Sequence, residues 1–387
     1  MDEIFGLIKK EEERQKEQVQ LIPSENFISE NVKRALGSCL SNKYAEGYCG
    51  KRYYQGNGVM DQIESKCQER ALRAFGLDNS IWGVNVQPHS GCEANLAVYN
   101  GLLNPGDKIM AMFLPDGGHL SHGWHTDKKI TMVSKIYKVE FYKVDLKTEV
   151  FDYDQIKRQV ETFRPKLIIS GGTAYSREID YKKMGEIARA VGAYYLADVS
   201  HEAGLIAGKV LTGPWEAADV VTMTTHKTLR GPRGAMIFAK RLLIEAINQS
   251  VFPGLQGGPH MQTIAAIAVA LEETQTEAFK KHAQQVLKNA KRLAEVLMKE
   301  GLKVITGGTD KHLLLVDVGV GKGKEIAVKL EEEGIVVNAN TIPGEKGSPF
   351  KPSGIRLGSP AMTTRGWGEK EFEEVGKKIA RIVRSIG

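Results

Sequence analysis

Between about residues 80 and 240, short β-rich runs alternate with helical ones, and this alternation restricts the fold more than any other feature of the chain. KIMAMF (108–113), KLIIS (166–170), YYLADV (194–199), VVTMTT (220–225) and AMIFA (235–239) read as strands. EANLAVYNGLL (93–103) and KKMGEIARAVG (182–192) read as helices. Strands that are apolar throughout are buried on both faces, so the pattern predicts a mostly parallel sheet covered by helices. A helical stretch from about 259 to 300 follows. The last part mixes strands (HLLLVDV, GIVVNAN) with helices (GKEIAVKLEEEG, EKEFEEVGKKIARIVRSI), which predicts a smaller α/β domain. Residues 2–20 read as a charged helix with Ile4, Leu7 and Ile8 on one side. Such an arm buries little alone and is expected to pack on a neighbour, such as a second subunit. At 387 residues the chain exceeds one ordinary core. The expected organisation is an N-terminal helical arm (1–25), a large domain (26–255), and a linking helix with a small C-terminal α/β domain (256–387).

Charge and cysteine usage narrow the class. The net charge of +6 comes from 53 basic and 47 acidic residues spread along the chain. It suits anionic small ligands and offers no block for nucleic acid. The N-terminus is charged from its second residue and has no apolar secretory core, and IAAIAVAL (264–271) is far too short for a membrane span. Cys39, Cys49, Cys67 and Cys92 form no CxxC pair. A cytoplasmic protein with free thiols and no membrane partner is expected.

Ligands of open α/β sheets bind beyond the carboxyl ends of the strands. Asp198 closes YYLADV, with His201 just beyond, and VVTMTT runs into His226 and Lys227. If both strands share a sheet, Asp198 and Lys227 approach one site. The pair reads as a buried ion pair. It also suits pyridoxal phosphate, whose aldehyde needs a lysine and whose ring nitrogen needs an acid. Ser90 and Gly91 precede a helix that ends at NPGD. That start is ordinary capping, and it is also a place for a phosphate at the positive end of a helix. No GxxxxGK[ST] exists in the chain. GGHLSHGWH (117–125) spaces three histidines by three, but it has no HExxH and no cysteine partner. No metal is expected there, and a histidine stacked on a ring or donating a hydrogen bond fits better. NKYAEGYCGKRYYQG (42–56) reads as a surface loop of stacked tyrosines or as a pocket lining with Glu46 as acid or base.

Taken together, LIPSENF (21–27), NKYAEGY (42–48), GKRYY (50–54), VQPHSG (86–91), GGHLSHG (117–123), TAYSREIDY (173–181), ADVSHEAGLIA (197–207), TMTTHKTLRGPRG (222–234), FPGLQGGP (252–259), HLLLVDV (312–318) and SGIRLGSPAMTTRG (353–366) closely resemble serine hydroxymethyltransferase. The blocks stand in family order from about 20 to 370. The resemblance implies the aspartate-aminotransferase-like α/β fold: a large domain with a mostly parallel seven-stranded sheet covered by helices, a smaller C-terminal α/β domain and an N-terminal helical arm. It implies pyridoxal phosphate as cofactor and a homodimer or homotetramer with shared active sites. The implied reaction passes the serine hydroxymethyl carbon reversibly to tetrahydrofolate or an analogous reduced pterin, leaving glycine.

Site residues follow from the same resemblance. Lys227 would attach the cofactor, and it must be neutral to attack, which burial beside cationic or apolar groups favours. Asp198 would pair with the ring nitrogen, His119 would stack on the ring, and Thr173 and His201 would bond near its hydroxyl. Ser90, Gly91 and Cys92 line the expected phosphate site, joined by Gly257 and Gly258 of a partner subunit. Thr224 and His226 sit where phosphate and lysine are positioned, and Arg233 where the site is fixed. Arg356 would clamp the substrate carboxylate, assisted by Ser24. Glu46 with Tyr44 and Tyr54 would reach over from the other subunit, Glu46 as proton carrier, and Tyr53 would help bind the substrate. Leu114, Gly118, Asn340, Ser348, Pro349 and Phe350 match positions expected to hold the folate.

The chain departs from the family pattern at a few places. Cys92 stands for a usual serine, threonine or alanine, Cys49 for a proline, Gln55 for a glycine and Pro23 for a common alanine. Glu93 adds a negative charge beside the phosphate site, and its side chain is expected to point away. Two other readings remain at this point: a related pyridoxal-phosphate enzyme such as a threonine aldolase or aminotransferase, and a non-catalytic relative that binds or regulates. The Glu46 loop and SPF (348–350) speak against the first, and retention of Lys227, Asp198, His119 and Arg356 against the second.

Overall fold

The apolar runs pair into a seven-stranded sheet. In chain order its strands are β1 (Trp82–Asn85), β2 (Lys108–Met112), β3 (Lys138–Tyr142), β4 (Leu167–Ser170), β5 (Tyr194–Asp198), β6 (Val220–Thr224) and β7 (Ala235–Lys240). Their order across the sheet is β1-β7-β6-β5-β4-β2-β3. Strand β7 runs antiparallel to β1 and β6, and the other pairs are parallel. The alternation within each strand explains why the runs read as continuously apolar. Ile109, Ala111, Leu167, Ile169, Leu196, Val220, Ala235 and Ile237 form one core with the helix Gly91–Leu102. Met110, Met112, Ile168, Tyr195, Val221, Met223 and Phe238 alternate with them and are equally buried. Both faces are covered, so polar residues collect at the strand ends.

The computed structural model describes residues 2–386 and divides them into two units. The larger holds 26–173 and 179–284, with the seven-stranded sheet. The smaller holds the residues up to 25, 174–178 and those from 285 on. Its antiparallel sheet runs in the order Lys303–Val304, Leu313–Asp317, Gly354–Gly358, Asn338–Asn340. The helices Gly323–Glu332 and Glu369–Ile386 pack a core around Leu314, Val316, Ile326, Ile355, Leu357, Phe372 and Ile379.

Three local expectations are corrected. The helical stretch from 259 to 300 is two helices, Met261–Glu273 and Glu277–Lys299. Between them the hydroxyls of Thr274 and Thr276 donate to the carbonyls of Leu271 and Glu273, and Thr276 then accepts from the Phe279 N–H. Hydroxyls that compete for backbone partners end one helix and cap the next. The charged helix expected over 2–20 stops at Glu17, and Val19–Gln20 pairs in parallel with Ile335–Val336. GIVVNAN is therefore not one strand, because Asn338–Asn340 pairs instead with Gly354–Gly358. On the first helix Ile4, Phe5, Leu7 and Ile8 are all exposed.

Candidate active site

Strand β6 ends at Thr224 and β7 starts at Ala235, and the loop between them carries Lys227. The loop closes on its own base. The Thr225 N–H donates to the Gly234 carbonyl, the Thr225 hydroxyl to Pro232 and the Gly231 N–H to Thr225. Lys227 is 8% exposed, and its carbonyl accepts from the Asn26 side chain. The short helix Ala203–Ala207 passes directly over the loop. A Cβ on Gly204 would stand 2.0 Å from the Thr228 carbonyl oxygen, so only glycine lets the two segments meet. The Thr228 hydroxyl bridges them, donating to the His201 carbonyl and accepting from the Gly204 N–H.

One strand away, β5 pairs with β6 so that Asp198 lies opposite Thr222. Asp198 Oδ2 accepts from Asn95 Nδ2 at 2.9 Å and lies 3.1 Å from His122 Nε2, and Oδ1 accepts from the Ser200 N–H at 3.0 Å. A carboxylate only accepts, so His122 Nε2 carries a proton. Burial opposes the charge on Asp198. The bonds from His122 and Asn95 and the neighbouring imidazoles outweigh it and hold the group well below the usual carboxylate range. The spacing brings two of the three histidines together, with the rings of His119 and His122 5.5 Å apart. His119 Nδ1 faces the Ser121 hydroxyl, His122 faces Asp198, and His125 faces the carbonyls of Thr126 and Val139.

The helix Gly91–Leu102 starts beside the same strand ends. A Cβ on Gly91 would come within 2.6 Å of Thr224 Cγ2 and 3.8 Å of Ser200 Oγ, so the helix start is backed against β6. Ser90 caps it by accepting from the Glu93 N–H at 3.3 Å. Glu93 turns to His89, with 3.5 Å between Oε2 and Nδ1. Cys92 has exposed surface, but the protein shields part of its thiol from water, and this shielding, followed by the charge of Asp198, raises the thiol. Thr173 donates to the Gly118 carbonyl at 2.9 Å, and Gly118 itself lies against the Met112 carbonyl. Leu114 is in the turn between them.

His226 Nδ1 is buried without a hydrogen-bond partner. Burial, then the charges of Arg233 and Lys227, push this imidazole down to about 3. Its folded value lies below the ordinary 6.5, so the unfolded chain binds more protons between those limits. The resulting stability is complete above about pH 6.5 and is lost as pH falls. Urea melts of the protein between pH 7 and 5 are expected to show this loss, at up to about 1.4 kcal/mol per pH unit. His226→Asn should flatten the slope by about one proton, and an unchanged slope would refute the assignment.

A cofactor of the expected kind can be tested against these features. The close-backed helix start, the partnerless imidazole beside two cations, and the buried anion at the next strand end all lie in the larger unit. An anionic group at one end and a cationic ring nitrogen at the other fit this donor set.

A second group of expected residues gathers elsewhere in that unit. A Cβ on Gly257 would meet Glu46 Oε1 at 3.1 Å and the Tyr44 hydroxyl at 3.8 Å, and one on Gly258 would touch the Tyr44 ring. Tyr44 and Tyr54 meet edge to face at 5.3 Å, and Tyr53 packs on Phe252 at 5.4 Å. The charge of Glu46 raises the Tyr44 phenol. In the smaller unit, Arg356 Nε donates to Asn338 Oδ1 at 2.9 Å, and burial lowers the guanidinium to about 10. Ser24 is half-buried, Asn340 donates to the Thr341 carbonyl, Ser348 bridges to Lys351, and Phe350 is exposed next to Pro349.

Sequence reasoning missed Asn95, Ser121, His122 and Ser200 around Asp198. A signal existed for Asn95, an amide inside an apolar helix, since a buried amide must find partners. It donates to Ser121 and Asp198 and accepts from Thr222.

A family model described as serine hydroxymethyltransferase matches residues 1–379. The mitochondrial serine hydroxymethyltransferase of Saccharomyces cerevisiae is 47% identical over 400 residues, covering 99% of this chain and 81% of its own. The cytosolic serine hydroxymethyltransferase of Oryctolagus cuniculus is 48% identical over 398 residues, covering 98% and 81%. That of Caenorhabditis elegans is 49% identical over 395 residues, covering 97% and 78%. A match of this extent, over a chain with the expected mostly parallel sheet, means that the protein belongs to the serine hydroxymethyltransferase family.

Proposed function

We propose that this chain transfers the hydroxymethyl carbon of serine reversibly to tetrahydrofolate or an analogous pterin, giving glycine. The observation that carries the reading is the family match over residues 1–379. It is supported by the placing of Asp198 at the end of β5 and of Lys227 just beyond the end of the neighbouring β6. Pyridoxal phosphate, when bound, supplies a ring that takes up the electron pair left as a bond to the α-carbon breaks. Lys227 would hold it covalently, and Asp198 would keep its ring nitrogen protonated. Ser90, Gly91 and Cys92 would line its phosphate site, Thr224 and His226 would position phosphate and lysine, Arg233 would help fix the site, and His119, Thr173 and His201 would hold its ring. Arg356, still cationic at neutral pH, would bind the amino-acid carboxylate, with its plane set by Asn338. Glu46 would carry the proton, with Tyr44 kept protonated beside it.

Tyr44, Glu46, Tyr54, Gly257 and Gly258 form one cluster, which supports their joint service to the site of a second copy. A homodimer or homotetramer is proposed on that basis. Among the described residues no helix is long and apolar enough to cross a membrane.

The deciding experiment compares serine cleavage with and without tetrahydrofolate, alongside the absorbance spectrum with glycine and then with glycine plus the pterin. Cleavage is expected to depend on the pterin, and a long-wavelength band should grow when it is added. Pterin-independent cleavage would favour an aldolase. A protein that stays colourless with added cofactor would favour a binding or regulatory role.

A further inference from the structure

The loop that carries Glu46 is held from behind by a buried network. Arg52 Nη1 donates to the carbonyls of Ala45 and Gly47, each at 2.8 Å. These are the peptide oxygens on either side of Glu46, whose own carbonyl accepts from the Tyr53 N–H at 3.1 Å. Gln87 Nε2 adds a second bond to the Gly47 carbonyl at 3.0 Å. Arg52 and Gln87 converge on one carboxylate. Glu64 Oε2 accepts from Arg52 Nη2 at 2.6 Å, and Oε1 accepts from Gln87 Nε2 at 2.8 Å. Asp61 completes the set, taking Arg52 Nε at 2.8 Å and the Gly50 N–H at 2.9 Å. The Glu64 side chain is fully buried and that of Arg52 is 3% exposed.

Burial is the largest influence on Glu64 and raises its carboxyl, against the pull of Arg52. A buried ion pair is weak evidence for stability, because well-packed apolar side chains do as well. What this pair supplies is direction. A carboxylate has two acceptor oxygens, and here each orients one donor that also grips a carbonyl of a residue next to Glu46. We infer that Glu64 is a positioning residue for Glu46, acting through Arg52 and Gln87 on the carbonyls of Ala45 and Gly47. The inference rests on the proposed role of Glu46 as proton carrier.

Glu64→Gln tests it in the intact holoenzyme. A carboxamide keeps one acceptor oxygen and turns an NH2 toward one of the two donors, so the loop loses a fixed partner. kcat for pterin-dependent serine cleavage is expected to fall about ten- to a hundredfold, while KM for serine stays within about twofold. Hydrogen exchange over residues 44–54 should accelerate. In a Glu46→Gln background the same change should cost nothing further in kcat, because no proton carrier remains to be positioned. A full additional loss in that background, or a loss expressed in KM alone, overturns the inference. Undiminished turnover of Glu46→Gln overturns the reading of Glu46 itself, a different result. If Glu64→Gln fails to fold, Gln87→Leu takes its place, since it cuts one link to Gly47 and leaves the Arg52–Glu64 pair intact. It should give a kcat loss of about threefold or more that again vanishes without Glu46, and a loss that persists refutes the inference.

Discussion

Lys227→Ala is expected to lower kcat/KM for pterin-dependent serine cleavage by at least about a thousandfold, because no other amine can replace the covalent nucleophile. The loop around it is closed by Thr225, Gly231 and Gly234 through backbone and hydroxyl bonds that do not involve the lysine side chain. The variant should therefore fold, and its melting temperature should stay within a few degrees of the parent's. Lys227→Arg should be no better. It restores charge, but a guanidinium stays protonated and cannot attack a carbonyl. Cofactor retention gives an independent reading: both variants should lose pyridoxal phosphate on dialysis, followed by absorbance. Activity within tenfold of the parent would show that the lysine is not the attachment point.

Asp198→Asn is the second large effect, expected to cut turnover about a hundred- to a thousandfold. The carboxylate accepts from Asn95, His122 and Ser200, and no arrangement of an amide repeats that. If the amide oxygen faces Asn95 and His122, its NH2 meets the Ser200 N–H. If it turns over, the NH2 meets two donors. Either way a buried donor loses its acceptor, at about 1–3 kcal/mol of stability. The catalytic loss comes from a separate cause, since a neutral amide cannot hold a ring nitrogen in its protonated state. Folding lowers the Asp198 pKa, so its stabilising charge is fully present above about pH 4 and fades as pH falls further. Acid melts should show the parent losing more stability than the variant below that point. Turnover of Asp198→Asn close to the parent's would refute the role.

Much of the fold could be read directly. The runs at 108, 166, 194, 220 and 235 became β2, β4, β5, β6 and β7 within about one residue of the expected ends. They were legible because strands covered on both faces must be apolar at every position. The helical break at Thr274–Thr276 was not legible from periodicity, since the apolar spacing continues across it and only the hydroxyl bonds interrupt the backbone. The change from helix to strand at Val19 depends on a partner at Ile335, more than three hundred residues away.

The site divides in the same way. Which residues carry chemistry was legible from their types and order: a lysine after one strand, an aspartate after another, and a Ser-Gly helix start. Which of the histidines faces Asp198 was not, because equal spacing says nothing about direction once the backbone turns at Gly117 and Gly123. Nor could sequence show that Arg52 and Gln87, from different elements, each donate to one oxygen of Glu64 and together to the Gly47 carbonyl beside Glu46. Sequence alone determined the layers of the fold and the family of the chemistry, because burial and local propensity act through composition and period. Tertiary structure alone decided the partners of each buried charge. A charge removed from water must be met by donors from other elements, and their meeting exists only once the chain has folded.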